Sequence, residues 1–180
     1  MKIEEIYQGG NNFSGKYFEL TEGDIAVIQK YVKNIVAPNC YLEIGTKYGG
    51  SAMTAKLTVK EGIEIYTIDI SDECFKETKQ MVDSMGIHFI HKPSLVVARD
   101  WSKPIGVLFI DGNHNQAMQD FGAWEKYLIK DGIVLFHDYY LHSPMVMEAC
   151  HEIAEQHTEY KVLFTPQGQI STSIFQAQKL

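Results

Sequence analysis

Short apolar runs alternate with longer amphipathic stretches along most of the chain. Each run is only a few residues long, whereas the stretches between runs repeat apolar residues at every third or fourth position, as in Ile25, Ile28, Val32 and Ile35. Runs of the first kind are typical of buried strands, and stretches of the second kind are typical of helices packed on them. The predicted strands cover residues 41–44, 64–70, 87–91, 106–110, 133–136, 160–164 and 172–175.

The order of these elements predicts the fold class. Five strands alternate with helices, and strand–helix–strand units form parallel sheets with right-handed crossovers. The last two strands are separated by the turn sequence Pro166-Gln167-Gly168, which predicts an antiparallel hairpin. We therefore expect a Rossmann-like α/β fold of three layers, doubly wound around a mostly parallel seven-stranded sheet with a C-terminal antiparallel hairpin.

The first predicted helix has a clear start signal. Thr21 and Asp24 have the spacing of a capping box in its acidic form. The segment before them is rich in Gly and Asn between residues 8 and 16 and does not favour regular structure. Residues 1–20 could cover a ligand pocket as a lid, or could be a frayed terminus. Because no repeat or linker interrupts the chain, residues 1–180 are expected to form a single domain.

The composition excludes several functional classes. The net charge of −7 comes from 16 basic and 23 acidic side chains without a cluster of Lys and Arg, so nucleic acid is not an expected partner. No apolar run reaches the length of about 18 residues that a membrane span needs. Cys40, Cys74 and Cys150 are odd in number and widely spaced, which is typical of free thiols in a reducing compartment. We therefore expect a cytoplasmic protein.

In a sheet of this kind, ligands bind beyond the carboxyl ends of the strands. The first strand leads directly into a loop from Gly45 to Gly50, and Glu43 comes just before this loop. The spacing E-x-G-x-x-x-G differs from the G-x-G-x-x-G of dinucleotide sites, and the wider loop suits a ligand without phosphates. Glu43 would repel a pyrophosphate and could instead pair with a cationic amino-acid group.

The second strand ends in an acid, Asp69, which lies 24 residues after Gly45. A carboxylate at this place can accept hydrogen bonds from ribose hydroxyls. Together, the glycine loop and the acid predict a ligand of the adenosine type. The alternative is that Gly45, Gly49 and Gly50 only permit close packing of a helix on the strand, while Asp69 caps the next helix.

Three stretches of the sequence carry a family resemblance: LEIGTKYGGSA, YTIDIS and LFIDGNHNQAMQDFGAWEKYLIKDGIVLFHDYY. They resemble the class I S-adenosylmethionine-dependent methyltransferases. Within that class they look most like the subgroup known as methyltransferase domain 24, which is related to antibiotic-tailoring and sugar O-methyltransferases. The resemblance covers roughly residues 40–140. It implies S-adenosylmethionine as the cofactor and transfer of its methyl group to a small acceptor, with a hydroxyl group as the expected target.

The resemblance also implies roles for individual positions. Asp69 would hold the ribose of the cofactor, and Ser94 lies where the family has an acidic or polar contact to adenine. The segment from His91 to Ser94 contains no acid in this chain. The residues expected at the methionine end of the cofactor are Glu43, Gly45, Thr46 and Gly49.

Acids also mark the ends of the next two strands, Asp111 after the fourth and Asp138 after the fifth. Neighbouring strands lie about 4.8 Å apart, so the two carboxylates could share a divalent cation. His114 and His137 are near enough in sequence to join them, and the predicted metal ligands are Asp111, His137 and Asp138. In the resembled sugar methyltransferases, acids at such positions hold Mg²⁺, which lowers the pKa of the acceptor hydroxyl. Alternatively, Asp111 contacts the methionine part of the cofactor or caps its loop.

Methyl transfer to a hydroxyl also needs a group that removes the proton, and histidine suits this role. His114 is the first candidate for the base and His137 is the second. His137 could instead be a core histidine. Successive residues of a strand point to opposite faces, so residues 137 and 138 can both serve one site only if the strand has ended by then. Asp120 and Trp124 fall on successive turns of the helix after the fourth strand and could support the site from behind it, but Trp124 in the core and Asp120 as an exposed charge is the favoured interpretation.

The sequence thus predicts a class I methyltransferase that acts on the hydroxyl group of a small molecule. Because the chain is short for this class and shows no insert for acceptor recognition, a second copy is expected to complete the pocket in a homodimer. Two other functions remain as alternatives. One is an NAD-linked oxidoreductase on a similar sheet, which the missing turn glycine disfavours. The other is a non-catalytic module that binds an adenosine ligand.

Overall fold

The structure, a computed structural model, describes residues 20–139, 143–166 and 172–180. The expected lid of residues 1–20 lies outside these ranges except for Leu20. Within the described ranges, no helix is long and apolar enough to cross a membrane.

Seven strands of the described chain form one sheet, and five of them are parallel. The strands are Cys40–Ile44 (β1), Ile65–Asp69 (β2), His88–His91 (β3), Ile105–Ile110 (β4), Leu128–Phe136 (β5), Tyr160–Phe164 (β6) and Phe175–Lys179 (β7). Their order across the sheet is β3-β2-β1-β4-β5-β7-β6. Strands β1 to β5 run parallel, while β7 lies antiparallel between β5 and β6. The predicted mostly parallel sheet with a closing antiparallel hairpin is confirmed.

Helices connect the parallel strands and cover both faces of the sheet. Those in the described ranges are Glu22–Val32 (α1), Gly50–Thr58 (α2), Asp72–Ser84 (α3), Ser94–Asp100 (α4), Ala117–Trp124 (α5) and Pro144–Gln156 (α6). The predicted capping box begins α1. The Thr21 hydroxyl accepts a hydrogen bond from the Asp24 amide at 3.1 Å, and the Asp24 carboxylate accepts one from the Thr21 amide at 2.8 Å. This reciprocal pair satisfies two amides that would otherwise lack partners at the helix start.

The core lies in two layers, one on each face of the sheet. Successive side chains of a strand point to opposite faces. On β4, Val107 and Phe109 pack with side chains of α1 and α2, whereas Leu108 and Ile110 pack with side chains of α5 and α6. Trp124, on α5, is fully buried in the second layer, as predicted. Because both faces of β4 are covered, its sequence is a continuous apolar run.

The last strand begins three residues later than predicted. The sequence analysis placed it at residues 172–175, but β7 begins at Phe175. The Thr172 hydroxyl and the Ser173 amide both donate to Asp24 Oδ1, at 2.7 and 2.9 Å. The segment before β7 is therefore tied to α1 instead of entering the sheet.

Candidate active site

A cleft of about 480 Å³ opens at the carboxyl ends of the parallel strands. This is the edge of the sheet where the sequence analysis placed the ligand. Most of the predicted site residues lie in the wall of the cleft, whereas Glu43 and Gly49 do not. The predicted residues that line it are Gly45, Thr46, Asp69, Ser94, Asp111, His114, His137 and Asp138.

The turn after β1 depends on a close approach between two backbone segments. Gly45 has a φ of +96°, and a Cβ atom at this position would lie 2.1 Å from the carbonyl oxygen of Asp111. The Asp111 amide donates to the carbonyl of Ile44 at 2.8 Å. Glycine alone fits such a conformation and such a distance. The loop after β4 therefore lies directly against the loop after β1.

Asp69 joins the turn after β1 to the loop after β2. One carboxylate oxygen, Oδ2, accepts hydrogen bonds from the amides of Thr46 and Lys47 at 2.9 and 3.0 Å. The other, Oδ1, accepts one from the amide of Ser71 at 2.8 Å. Ser71 is itself the N-cap of α3, so Asp69 does not cap that helix. The glycine turn and the carboxylate converge on one cleft, as an adenosine ligand requires.

The structure gives Glu43 and Gly49 places outside the wall of the cleft. Glu43 is fully buried, and the hydroxyls of Tyr41 and Thr67 donate to its carboxyl group at 2.9 and 2.6 Å. Burial raises the pKa of Glu43 to about 7, although these hydrogen bonds oppose the rise. Gly49 begins α2 with a φ of +79°, and a Cβ atom there would lie 3.0 Å from two side chains of α3. In this arrangement Gly49 permits close packing of the two helices.

Replacement of Glu43 by glutamine is expected to remove a pH-dependent loss of stability. Because its pKa rises from the ordinary 4.5 to about 7, Glu43 stabilises the fold at low pH, and this contribution is lost as the pH rises through 7. The shift corresponds to about 3 kcal/mol. Urea titrations at pH 5 and pH 8 should therefore show a larger fall in the free energy of unfolding for the wild type than for Glu43→Gln. Equal falls in the two proteins would contradict this account.

His137 lies at the centre of a cluster of carboxylates. Its Nδ1 is 3.2 Å from Asp111 Oδ1 and 3.3 Å from Asp138 Oδ1, and its Nε2 is 3.5 Å from Asp24 Oδ2. Asp138 has a φ of +57°, so the strand has ended and both residues 137 and 138 reach the cleft. Burial alone lowers the pKa of His137, but the three carboxylates outweigh it and raise the pKa to about 12. The buried ring is therefore held as a cation.

Asp24 belongs to this cluster, although the sequence analysis treated it only as part of a helix cap. It is almost completely buried, and it accepts hydrogen bonds from Thr21, Thr172 and Ser173 besides its ion pair with His137. Burial raises the pKa of Asp24, but His137 and Thr172 outweigh this effect and hold the pKa well below its usual range. Asp24 thus connects α1 and the start of β7 to the histidine that follows β5.

His114 lies at the mouth of the cleft, with 39% of its side chain exposed. Its Nε2 is 3.2 Å from Asp138 Oδ2, and its Nδ1 is 3.0 Å from the hydroxyl of Ser143. Donor atoms of Asp111, His114 and Asp138 all lie within 4.8 Å of one another, which makes these residues a candidate set of metal ligands. Whereas the sequence analysis named His137 as the third ligand, the structure groups His114 with the two acids.

A family model described as a methyltransferase domain matches residues 42–139, which is more than half of the chain. The chain belongs to the methyltransferase domain family. A curated relative of this methyltransferase-domain protein is an uncharacterized protein of Acanthamoeba polyphaga mimivirus. The two are 31% identical over 128 residues, which cover 63% of this chain and 58% of the relative. The match therefore spans little more than half of the relative's length.

Solved structures of methyltransferases share the fold of this methyltransferase-domain protein. An O-methyltransferase from Bacillus cereus, in complex with S-adenosylhomocysteine, has a TM-score of 0.75 at 14% identity, over 90% of this chain and 82% of that one. The O-methyltransferase TomG from Streptomyces achromogenes, in complex with S-adenosylmethionine, has a TM-score of 0.73 at 13% identity. The match covers 89% of this chain and 81% of TomG. At these identities the likeness shows the fold alone.

In this methyltransferase domain, an acid reaches Ser94 from a different part of the chain. Asp120 on α5 is only 1% exposed, so the expectation of an exposed charge is wrong. Its Oδ1 accepts hydrogen bonds from the Ser94 hydroxyl and, at 3.1 Å, from the Gln116 amide. The same amide donates to the Ser94 oxygen at 3.3 Å. Burial raises the pKa of Asp120, and the hydrogen bonds from Ser94 and Gln116 oppose this rise.

Three residues at the candidate site were not identified as site residues by the sequence analysis: Asp24, Gln116 and Ser143. Asp24 was identified only as part of a helix cap. Ser143 does precede α6, but its hydroxyl bonds with His114 instead of capping the helix. Gln116 is the last residue of a short 3₁₀ turn, and its spacing of four positions from Asp120 is the local signal that could have paired the two.

Proposed function

We propose that this methyltransferase-domain protein transfers the methyl group of S-adenosylmethionine to a hydroxyl group of a small molecule. The observation that carries the proposal is that the turn at Gly45 and the carboxylate of Asp69 meet in one cleft. The volume of about 480 Å³ lies in the range of small-molecule sites. Family membership supports methyl transfer over the NAD-linked oxidoreductase.

The residues around the turn suit this cofactor. Backbone amides occupy three of the roughly four acceptor positions of the Asp69 carboxylate, which leaves one for a ribose hydroxyl. Ile70 follows in the cleft wall and is 66% exposed, so it offers an apolar surface to the base. When bound, S-adenosylmethionine supplies a methyl group on a sulfonium, which an aligned acceptor oxygen can displace.

We assign the proton-accepting role to His114. A second pocket, of about 350 Å³, adjoins the cleft and has Asn113, His114 and Ser143 in its wall. An acceptor hydroxyl in that pocket could take the place of the Ser143 hydroxyl at Nδ1 of His114, while Asp138 orients the ring through Nε2 and stabilises its charged form. His137 suits the role less well, because both of its ring nitrogens face carboxylates.

A divalent cation is the second candidate for activating the acceptor. Asp111, His114 and Asp138 offer two carboxylates and an imidazole, which are donor types that bind divalent ions. The hydroxyl of Ser143 bonds to Nδ1 of His114. In metal sites, the ring nitrogen of a histidine that does not bind the metal commonly bonds to a neighbouring oxygen in this way. A cation held there would act as a Lewis acid on the acceptor hydroxyl. In this arrangement His114 is a ligand, so the two candidates exclude each other at this residue.

Calorimetry with S-adenosylhomocysteine and NAD tests the proposed cofactor. Asp69→Asn is expected to weaken S-adenosylhomocysteine binding about 10- to 100-fold, because the new amide turns N–H groups toward the turn and loses acceptors. Asp72→Asn removes the same charge from an acid that is 83% exposed at the start of α3, and should bind like the wild type. Binding of NAD without binding of S-adenosylhomocysteine would overturn the proposal.

Turnover separates an enzyme from the non-catalytic adenosine-binding module. The measurement is release of S-adenosylhomocysteine from S-adenosylmethionine with sugars, catechols and phenols as acceptors. Tight cofactor binding without turnover on any of them would favour the binding module. The homodimer and the cytoplasmic location stay predictions.

A further inference from the structure

A second group of side chains that can bind a metal lies at the edge of the sheet opposite to the cleft. We name Glu125, His157 and Glu159 the distal cluster, and donor atoms of all three lie within 4.8 Å of one another. Glu125 is in the turn that leads into β5, and the other two lie between α6 and β6. Because β5 and β6 both run antiparallel to β7, their amino ends share this edge, whereas the cleft opens at the carboxyl ends.

The backbone around the distal cluster is held by the end of the chain. The ammonium group of Lys179 donates to the carbonyl of Glu125 at 2.8 Å, and the amide of Leu180 donates to the carbonyl of Glu159 at 2.8 Å. Lys179 thus uses its charge on a carbonyl and not on a carboxylate. Among the described residues, the ion pairs of both glutamates are with His157 alone. The two carboxylates therefore keep a charge that a cation can neutralise.

A buried hydroxyl beside the distal cluster lacks a partner. Tyr160 is 7% exposed, and its hydroxyl has no hydrogen-bond partner within the described residues. Its ring lies edge-on to that of His157, with 6.3 Å between the ring centroids. Burial raises the pKa of Tyr160, and the nearby charges of Glu125 and Glu159 add to this rise. A buried hydroxyl without a partner is costly, and a water bound to an ion in the cluster would supply that partner.

The donor set and its spacing suit a zinc ion. With its proton on Nε2, the neutral ring of His157 offers Nδ1 as a ligand beside two carboxylate oxygens. Ligand atoms around a tetrahedral zinc ion lie about 3.3 Å apart, since each bond is about 2.0 Å long. The distances from Nδ1 to Glu159 Oε1 and Glu125 Oε2, 3.0 and 4.0 Å, bracket this value. Mg²⁺ and Ca²⁺ prefer sites made of oxygen atoms only.

We propose that the distal cluster binds a divalent ion of the zinc type through Glu125, His157 and Glu159, with water as the fourth ligand. Tyr160 is a positioning residue, because its hydroxyl bonds to that water. The ion fastens the turn before β5 to the end of α6 and the start of β6. The site lies at the other edge of the sheet from the cleft, so the inference does not depend on the proposed function.

The test is calorimetric titration of the full chain with Zn²⁺. His114→Ala serves as the background, because His114 belongs to the candidate metal ligands at the cleft. This variant should bind one Zn²⁺ per chain, and added Glu159→Gln should weaken binding at least 10- to 100-fold, the range found even for groups behind a ligand. Added Tyr160→Phe should weaken zinc binding about tenfold. It should not destabilise the metal-free protein, because the lost hydroxyl has no partner there.

An exposed acid nearby provides the matched control. Glu155→Gln removes the same charge from α6 two positions before His157, and it should keep the affinity of the background. Zn²⁺ at about 100 times its dissociation constant should raise the midpoint of thermal unfolding by about 5 to 10 °C in the background and in the control, but not in Glu159→Gln. Absence of Zn²⁺ binding by the background, or equal affinities of Glu159→Gln and Glu155→Gln, would overturn the inference. Binding of Mg²⁺ as tight as that of Zn²⁺ would overturn the assignment of a zinc-type ion.

Discussion

Asp24→Ala is expected to lower the free energy of unfolding by about 3 to 5 kcal/mol, the usual cost of removing one partner from a buried charge pair. The carboxylate of Asp24 is 3.5 Å from the buried ring of His137. It also accepts hydrogen bonds from Thr172 and Ser173, which would lose their acceptor inside the protein. The measurement is a urea titration followed by the fluorescence of the two tryptophans.

A second helix start provides the control for Asp24. Ser71 caps α3 through its hydroxyl and has no part in the carboxylate cluster, so Ser71→Ala should cost only about 1 kcal/mol. If Asp24→Ala costs no more than Ser71→Ala, Asp24 acts as a helix cap alone and the account of the cluster fails. The pH adds a further check. Since the pKa of Asp24 is lowered, its stabilising contribution is fully present above the ordinary carboxyl pKa and should be lost progressively as the pH falls below that value toward the lowered pKa.

The regular part of the fold could be predicted because its signals are local. Each strand of the parallel sheet is buried on both faces, so it appears as an apolar run, and each crossover helix shows a one-sided apolar stripe. The position of β7 could not be predicted in the same way. Its start depends on hydrogen bonds between Thr172 and Asp24, which are 148 positions apart.

The candidate site was predictable where the fold itself determines it. Gly45, Asp69, Asp111 and Asp138 follow strands β1, β2, β4 and β5, and the carboxyl ends of parallel strands meet at one edge. Which histidine would join the two acids was not predictable, because that depends on how the chain turns after β5. The positive φ of Asp138 directs His137 toward Asp24 and brings Asp138 to His114.

Asp120 shows why a helical charge can be assigned wrongly. Asp120 lies four positions before Trp124, on the same face of the helix, but a charged side chain is rarely fully buried without a partner, and this general rule favoured an exposed position. The structure instead turns Asp120 toward the start of α4, where Ser94 and Gln116 satisfy one of its oxygens. Gln116 lies four positions before Asp120, a spacing that can pair the two side chains, but Ser94 is 26 positions away and no local pattern links it to Asp120.

His114→Ala is expected to lower the turnover rate about 100- to 10,000-fold, the usual contribution of a general base, while S-adenosylhomocysteine binds as before. His114 lies between the cofactor cleft and the second pocket, and Asp138 holds one of its nitrogens at 3.2 Å. Removal of the imidazole takes away the proton acceptor and leaves the turn at Gly45 untouched. The measurement is the rate of S-adenosylhomocysteine release with the best acceptor among sugars, catechols and phenols, alongside calorimetry of cofactor binding. An unchanged rate would contradict both roles proposed for His114.

Chelation decides which of the two roles His114 has. As a base, it should act without a metal, so EDTA should leave the wild-type rate unchanged and added imidazole should restore part of the rate of His114→Ala. As a ligand, it should share a cation with Asp111 and Asp138. EDTA should then abolish the wild-type rate, and Mg²⁺ should restore it in the wild type but not in Asp138→Ala. Asp138 serves in both arrangements, so a loss of rate in Asp138→Ala alone does not separate them, whereas the effect of EDTA on the wild type and the imidazole rescue of His114→Ala do.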